Sequence, residues 1–328
     1  MTGNVPRPTA YLDALRAQTT PEEYRARLSN LCAGDKRRAA LLLSDERLSF
    51  PALFAAREQI VQHGLKMQLS GRHIAALGIA EQILARTPKN VSTSYLKKPS
   101  GTELAVLMGM LATGFREEGL CGAYEEVLDG VVAVLLDLYH ERRALPLAVE
   151  VLFLRAKNGR NYHDLFWAVS RFGDPSGLRL IAARLDAPEE ETAALARELL
   201  GIDDVQGKMR FSDYERWLKE NDPFLYFSGE SLQYSAKPAV FRVDHARKYV
   251  NRATPAYEKQ ALSPQNERER ARLAEFSALE ESDRATLAQY AQEMRQKDPA
   301  AWAQLETKPV AQQAEAAKKN GGETVWSI

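Results

Sequence analysis

Two cysteines and five histidines in 328 residues are too few for a disulfide framework or a Cys/His metal centre. Cys32 and Cys121 both lie beside helical apolar runs and read as small buried hydrophobes rather than reactive thiols. The histidines are scattered. His63 and His73 stand ten apart with no carboxylate at i+4, His140 ends a helix, His163 precedes one, and His245 follows Asp244. No metal or cofactor is expected. Long hydrophobic runs are missing too: the richest stretches, 104–112 and 131–138, fall short of the roughly 18 apolar residues of a membrane span. The N-terminus lacks the charged-then-apolar layout of a signal peptide, so the expected location is cytoplasmic, with no membrane partner.

An excess of one charge is also lacking, with 44 Lys/Arg against 44 Asp/Glu. Bulk electrostatics therefore selects no polyanionic partner. The distribution is uneven, however. Residues 1–100 hold 15 basic against 8 acidic side chains, and residues 101–200 hold 10 against 16. Such a dipolar chain would steer a charged partner to one end or associate with itself.

Catalytic signatures are absent from the motif level. Ser228-Gly229-Glu230-Ser231 lacks the Gly-x-Ser-x-Gly spacing of a nucleophile elbow. Gly119 and Gly122 are not followed by the Lys-Ser/Thr of a phosphate loop. Glu125, Glu126 and Asp129 recur at helical spacing, but a di-metal bundle needs Glu-x-x-His on facing helices, and none is present. These acids read as a solvated helix face.

What the chain does have is helix signal. Pro21-Glu22-Glu23 opens a helix with Pro in its first turn and acids at the positive dipole end. Apolar residues then recur every three to four positions through 50–61, 72–84, 104–111 and 124–139, and 145–154 is apolar almost all round. Between 161 and 201, Gly173, Pro175, Pro188 and Gly201 punctuate three short amphipathic helices.

The expected fold is all-α. A body over 8–205 resembles HEAT-type helical repeats, a HEAT-like α-solenoid, in texture but without a strict period. A mainly helical extension over 206–306 follows, then a flexible Ala/Gln/Lys-rich tail at 307–328 with an apolar end. Within the extension, 266–279 and 283–297 read as an exposed hairpin of polar helices. Two segments break the helical series. One is a basic, Ser/Thr/Pro-rich loop at 87–100; the other is an aromatic stretch at 222–242, read as an irregular strap or a β-hairpin turning at Ser228-Gly229.

The functional expectation is binding rather than catalysis: a protein-interaction scaffold or adaptor. Its candidate contacts are Phe224, Tyr226, Phe227 and Tyr234 in the aromatic stretch and Trp326 and Ile328 at the C-terminus. Aromatics at surfaces carry much interface energy. The same rings could instead plug the open end of the helical stack. The alternative is a nucleic-acid-binding or DNA-repair enzyme of the HEAT-like class, with Arg37, Arg38, Lys97, Lys98, Arg142 and Arg143 contacting phosphates. Arg155, Lys157 and Arg160 would extend that surface. The acidic middle third counts against it. A third reading is a structural subunit of a larger assembly, tethered by its tail.

Overall fold

The structure is a computed structural model that describes residues 10–85, 101–117, 120–202, 209–230, 235 and 239–320. Among them are eighteen α-helices, short 3-10 and π turns, and a single two-stranded ribbon. The chain is all-α, and no described helix is long and apolar enough to cross a membrane. Two compact units divide at Gly173, a left-handed residue (φ +73°) that ends a helix. This division comes earlier than the composition change near 205, because the helices after Gly173 pack among themselves and on the turn leading to the ribbon.

The first unit holds α1 (Tyr11–Ala17), α2 (Pro21–Gly34), α3 (Lys36–Leu43), α4 (Phe50–Ala55), α5 (Arg57–Gln62), α6 (Gly71–Leu84), α7 (Gly101–Gly114), α8 (Gly122–Ala133), α9 (Leu145–Lys157) and α10 (His163–Arg171). Thr20 and Glu23 close a reciprocal capping box on α2. Its centre lies where α4, α6, α7 and α8 meet. There Phe50, Phe54 and Tyr124 form a ring cluster with centroids 5.4–5.8 Å apart, and the Tyr124 hydroxyl donates to the Gly114 carbonyl. Gly130 lets α8 approach α6 closely: a Cβ there would stand 2.9 Å from Ile83 Cδ1. The helix α8 continues into a π turn over Val134–Leu138, so the predicted 124–139 element is one rod with a widened last turn.

The acids of α8 do not form the solvated face that their spacing suggested. Asp129 accepts both terminal nitrogens of the buried Arg155 (2.9 and 3.2 Å), and Glu125 takes Arg160. Arg155 also donates to the carbonyls of Glu125 and Asn161. An arginine pointing inward from the apolar helix α9 must bring a counter-charge with it, which makes these residues an internal lattice rather than a phosphate-binding row. Burial pushes the Asp129 carboxyl up to about 6 against the opposing pull of Arg155.

The second unit holds α11 (Ser176–Ala182), α12 (Glu190–Leu199), α13 (Phe211–Asn221), β1 (Leu225–Phe227), β2 (Phe241–Val243), α14 (His245–Tyr249), α15 (Glu267–Ser277), α16 (Glu281–Lys297), α17 (Pro299–Leu305) and α18 (Val310–Asn320). The strands β1 and β2 pair antiparallel with Phe227 opposite Phe241, so the ribbon does not turn at Ser228-Gly229. Ser228 instead extends the ladder by donating its N–H to the Val240 carbonyl, and the connection runs over 229–239.

Two further expectations for this unit fail. The helix α16 is no exposed arm: Leu287, Ala288 and Ala291 enter a core with Tyr249, Phe276 and Trp302. Residues 310–320, assigned to a flexible tail, form α18. Its Val310, Ala314 and Ala317 make a small-residue stripe on that same core. The buried Gln313 is held by the Tyr249 hydroxyl (2.8 Å) and the Lys308 carbonyl. Alanine-rich polar sequence reads as solvated, yet a valine with alanines four and seven residues on permits close helix packing.

Candidate functional site

The most exposed large apolar side chains among the described residues lie in the first unit. Leu41 is 69% exposed, Val61 66% and Met67 86%, with Tyr11 also exposed. Leu41 lies on α3, and Val61 and Met67 flank the Gly64 turn that reaches Lys36 at the start of that helix. The N-cap of α3 is Asp35, whose carboxylate accepts the Arg38 N–H (2.9 Å) and fixes where the helix begins. The helix buries Ala39, Ala40 and Leu43 in the core and leaves Lys36, Arg37, Arg38 and Leu41 outside. Arg37 and Arg38 stand four and three residues before Leu41, so the cations and the leucine share one face.

The segment after α5 lies alongside. Gly64 adopts a left-handed conformation (φ +61°), and a Cβ on it would stand 3.9 Å from Lys36 Nζ. At the other end of α3, Ser44 Oγ donates to the Gln68 carbonyl (3.1 Å). Leu65 and Leu69 anchor this turn in the core and leave Met67 outward between them. The result is a surface of thioether and aliphatic side chains flanked by guanidinium and ammonium groups. Lys66 beside it is paired to Glu81 (2.8 Å), whereas Lys36, Arg37 and Arg38 have no ion-pair partner among the described residues.

Those three cations occupy the first turn of α3, the end where a helix dipole favours negative charge. They therefore oppose the stability of the helix that carries them. Side chains that cost stability without serving the core are usually held by something outside the fold.

The residues singled out from sequence are distributed differently. Phe224 is 3% exposed and belongs to the core of the second unit. Tyr226 and Phe227 are half-buried on the ribbon. Lys259 lies over the Tyr226 ring (5.2 Å), and Phe227 packs edge-on to Phe241 (5.8 Å). Tyr234, Lys97, Lys98, Trp326 and Ile328 lie outside the described residues. Arg142 and Arg143 are exposed on the turn before α9, where Arg143 is committed to Glu141 (2.6 Å). Cys121 is half-exposed at the start of α8 rather than buried; Cys32 is buried.

No protein-family model matches this chain, and no curated protein or solved structure matches it significantly.

Sequence reasoning noticed the Lys36-Arg37-Arg38 run but missed its apolar half. In Leu41-Leu42-Leu43 every residue reads as core, and only the packing of Ala39, Ala40 and Leu43 against the rest of the unit decides that Leu41 faces out. Met67 carried a weak signal, since Leu65-x-Met67-x-Leu69 does not fit a helical period.

Proposed function

We propose that the protein is a non-catalytic interaction scaffold or adaptor whose α3 face receives an acidic, amphipathic segment of a partner protein. The observation that carries this reading is that exposed Leu41 shares the outward side of α3 with Lys36, Arg37 and Arg38, while the turn that meets α3 at Lys36 and Ser44 leaves Met67 exposed. Apolar anchors inside a charged rim match the anatomy of protein interfaces. The basic excess of residues 1–100 would steer such a partner to this end of the chain.

A HEAT-like helical-repeat character of the body is part of the proposal. It is supported by the packing of helices on near neighbours in sequence: α2 on α3, α7 on α8, α9 on α10. Tyr226 and Phe227 on the ribbon of the second unit are proposed as a second contact, and the location as cytoplasmic.

The nucleic-acid reading retains Arg37 and Arg38. Exposed Met67 and Val61 favour a protein, because phosphates make no use of a thioether or an isopropyl group. The test is affinity capture with the full chain, with Arg37→Glu/Arg38→Glu, and with Leu41→Ser/Met67→Ser. A specific partner retained by the wild type should be lost with both variants while their helicity is unchanged. Retention by both variants, or salt-sensitive capture of DNA alone, would overturn the proposal.

A further inference from the structure

The second unit contains a cleft of about 350 Å³ lined from α13 by Asp213, Arg216, Trp217, Glu220 and Asn221, and from α16 by Gln289, Gln292, Glu293 and Lys297. Its remaining wall is β2 and α14, which supply Val243, His245 and Lys248. Lys248 is only 3% exposed, and its Nζ donates to Asn221 Oδ1 (2.6 Å) and Gln289 Oε1 (2.5 Å). Both amides are fixed in the orientation that presents oxygen. Asn221 Nδ2 donates to the Trp217 carbonyl (2.8 Å), and Gln289 Nε2 donates to Glu293 (2.9 Å).

Two acceptors suit an amine better than an ammonium. A neutral –NH2 has two N–H groups, both satisfied here, and one lone pair left over. The –NH3⁺ form has a third N–H with no partner among the described residues, and burying an unsatisfied charged donor is costly. Two more polar atoms of the cleft are buried and unpartnered, His245 Nδ1 and Gln292 Oε1. A buried polar atom without a partner calls for an explanation, and a ligand in the cleft supplies one for these two.

We propose that this cleft binds a small hydroxylated aldehyde or ketone and that Lys248 captures its carbonyl carbon as a Schiff base. The Nζ lone pair forms the new C–N bond, giving a carbinolamine. The carbonyl oxygen then leaves as water with the two amine hydrogens, and a C=N bond remains. No oxidant or reductant is needed. Gln292 Oε1, buried and without a hydrogen-bond partner among the described residues, accepts from a ligand hydroxyl.

A simple anion is the poorer fit, because the charges around the cleft balance. On α13, Asp213 pairs with Arg216 (3.4 Å) and Glu220 faces Lys248; on α16, Glu293 pairs with Lys297 (3.1 Å). Burial lowers His245, Lys248 and Arg284 add to that effect, and Glu281 and Asp244 oppose it. On the turn after α13, Asp222 accepts from the Tyr257 hydroxyl (3.1 Å). On α15, Glu269 and Arg272 are engaged by Arg252 and Glu306. The net effect on Lys248 is dominated by burial, which lowers it to about 8 against the pull of Glu220 and Glu293.

The test is reductive labelling of the full-length protein with glyceraldehyde and sodium cyanoborohydride from pH 6 to 10, with each lysine quantified by peptide mass spectrometry. At pH 7 Lys248 should react on the order of tenfold faster than the cleft-rim Lys297 and the surface Lys219. Its rate should rise through a midpoint near 8 and saturate with glyceraldehyde. Gln289→Glu, which sets a carboxylate beside Nζ, should bring Lys248 down to the surface rate while the helical dichroism is retained. Labelling of Lys248 no faster than Lys219, or a rate that stays linear in glyceraldehyde, overturns the proposal.

Discussion

Reversing the charge of Arg37 and Arg38 should make the protein more stable and less able to bind. Both residues lie in the first turn of α3, exposed and without ion-pair partners among the described residues. An exposed charge in that turn interacts with the helix dipole by roughly 0.3–0.5 kcal/mol. Exchanging a cation for an anion removes one unfavourable contribution and adds a favourable one, so two exchanges amount to about 1–2 kcal/mol. Asp35 already occupies the N-cap and will repel new carboxylates, which places the expected gain near the lower end, about 1 kcal/mol. For a unit of this size that is about 2–4 °C in the unfolding midpoint. Thermal unfolding followed by far-ultraviolet dichroism at 20 mM and at 500 mM NaCl reads it. The gain should fall to less than half at high salt, where the screening length is only about 4 Å. If Arg37→Glu/Arg38→Glu is instead less stable than the wild type at low salt, the two guanidinium groups are part of the fold, and the inference that something outside the fold holds them fails.

Arg155→Met should cost about 3–5 kcal/mol by stranding the buried Asp129 carboxylate, and Asp129→Leu in the same chain should recover most of it; chemical denaturation of the three proteins checks this. Gly130→Ala, which brings a Cβ to 2.9–3.2 Å from Cδ1, Cγ2 and Cγ1 of Ile83, should lower stability by about 1–3 kcal/mol, and Ile83→Ala in the double variant should remove the clash and leave only the cost of its own cavity. Burial lowers His245 to about 4, so the folded protein binds fewer protons than the unfolded chain between that value and the ordinary 6.5. Stability from this residue is therefore fully present above 6.5 and lost as the pH falls towards 4. Replacing His245 with Gln should flatten that part of the stability profile, and an unchanged slope would mean that the imidazole is solvated.

Much of the helical architecture was legible because its signals are local. Thr20-Pro21-Glu22-Glu23 opens α2 through contacts within one turn, and Gly173 and Gly201 end helices because each needs a left-handed backbone. The expectation for α18 failed for the opposite reason. Val310, Ala314 and Ala317 bury little area apiece and become core only once Tyr249, Phe276 and Trp302 are assembled opposite them. The acids of α8 misled in the same way, since Asp129 is internal only because α9 delivers Arg155 to it.

The candidate sites lay further from view. The basic run at 36–38 stood out in the sequence, but its apolar neighbours did not, because Leu41 and Met67 resemble core residues until α3 is rotated and the Gly64 turn is laid beside it. Lys248 gave no signal at all. Its partners Asn221 and Gln289 lie 27 and 41 residues away. By itself the sequence determined where helices begin and end, since capping and periodicity act over a few residues. Which side chains are buried together, and which are left facing outward at a cost, only the tertiary structure decided, because burial depends on partners that the chain brings together solely by folding.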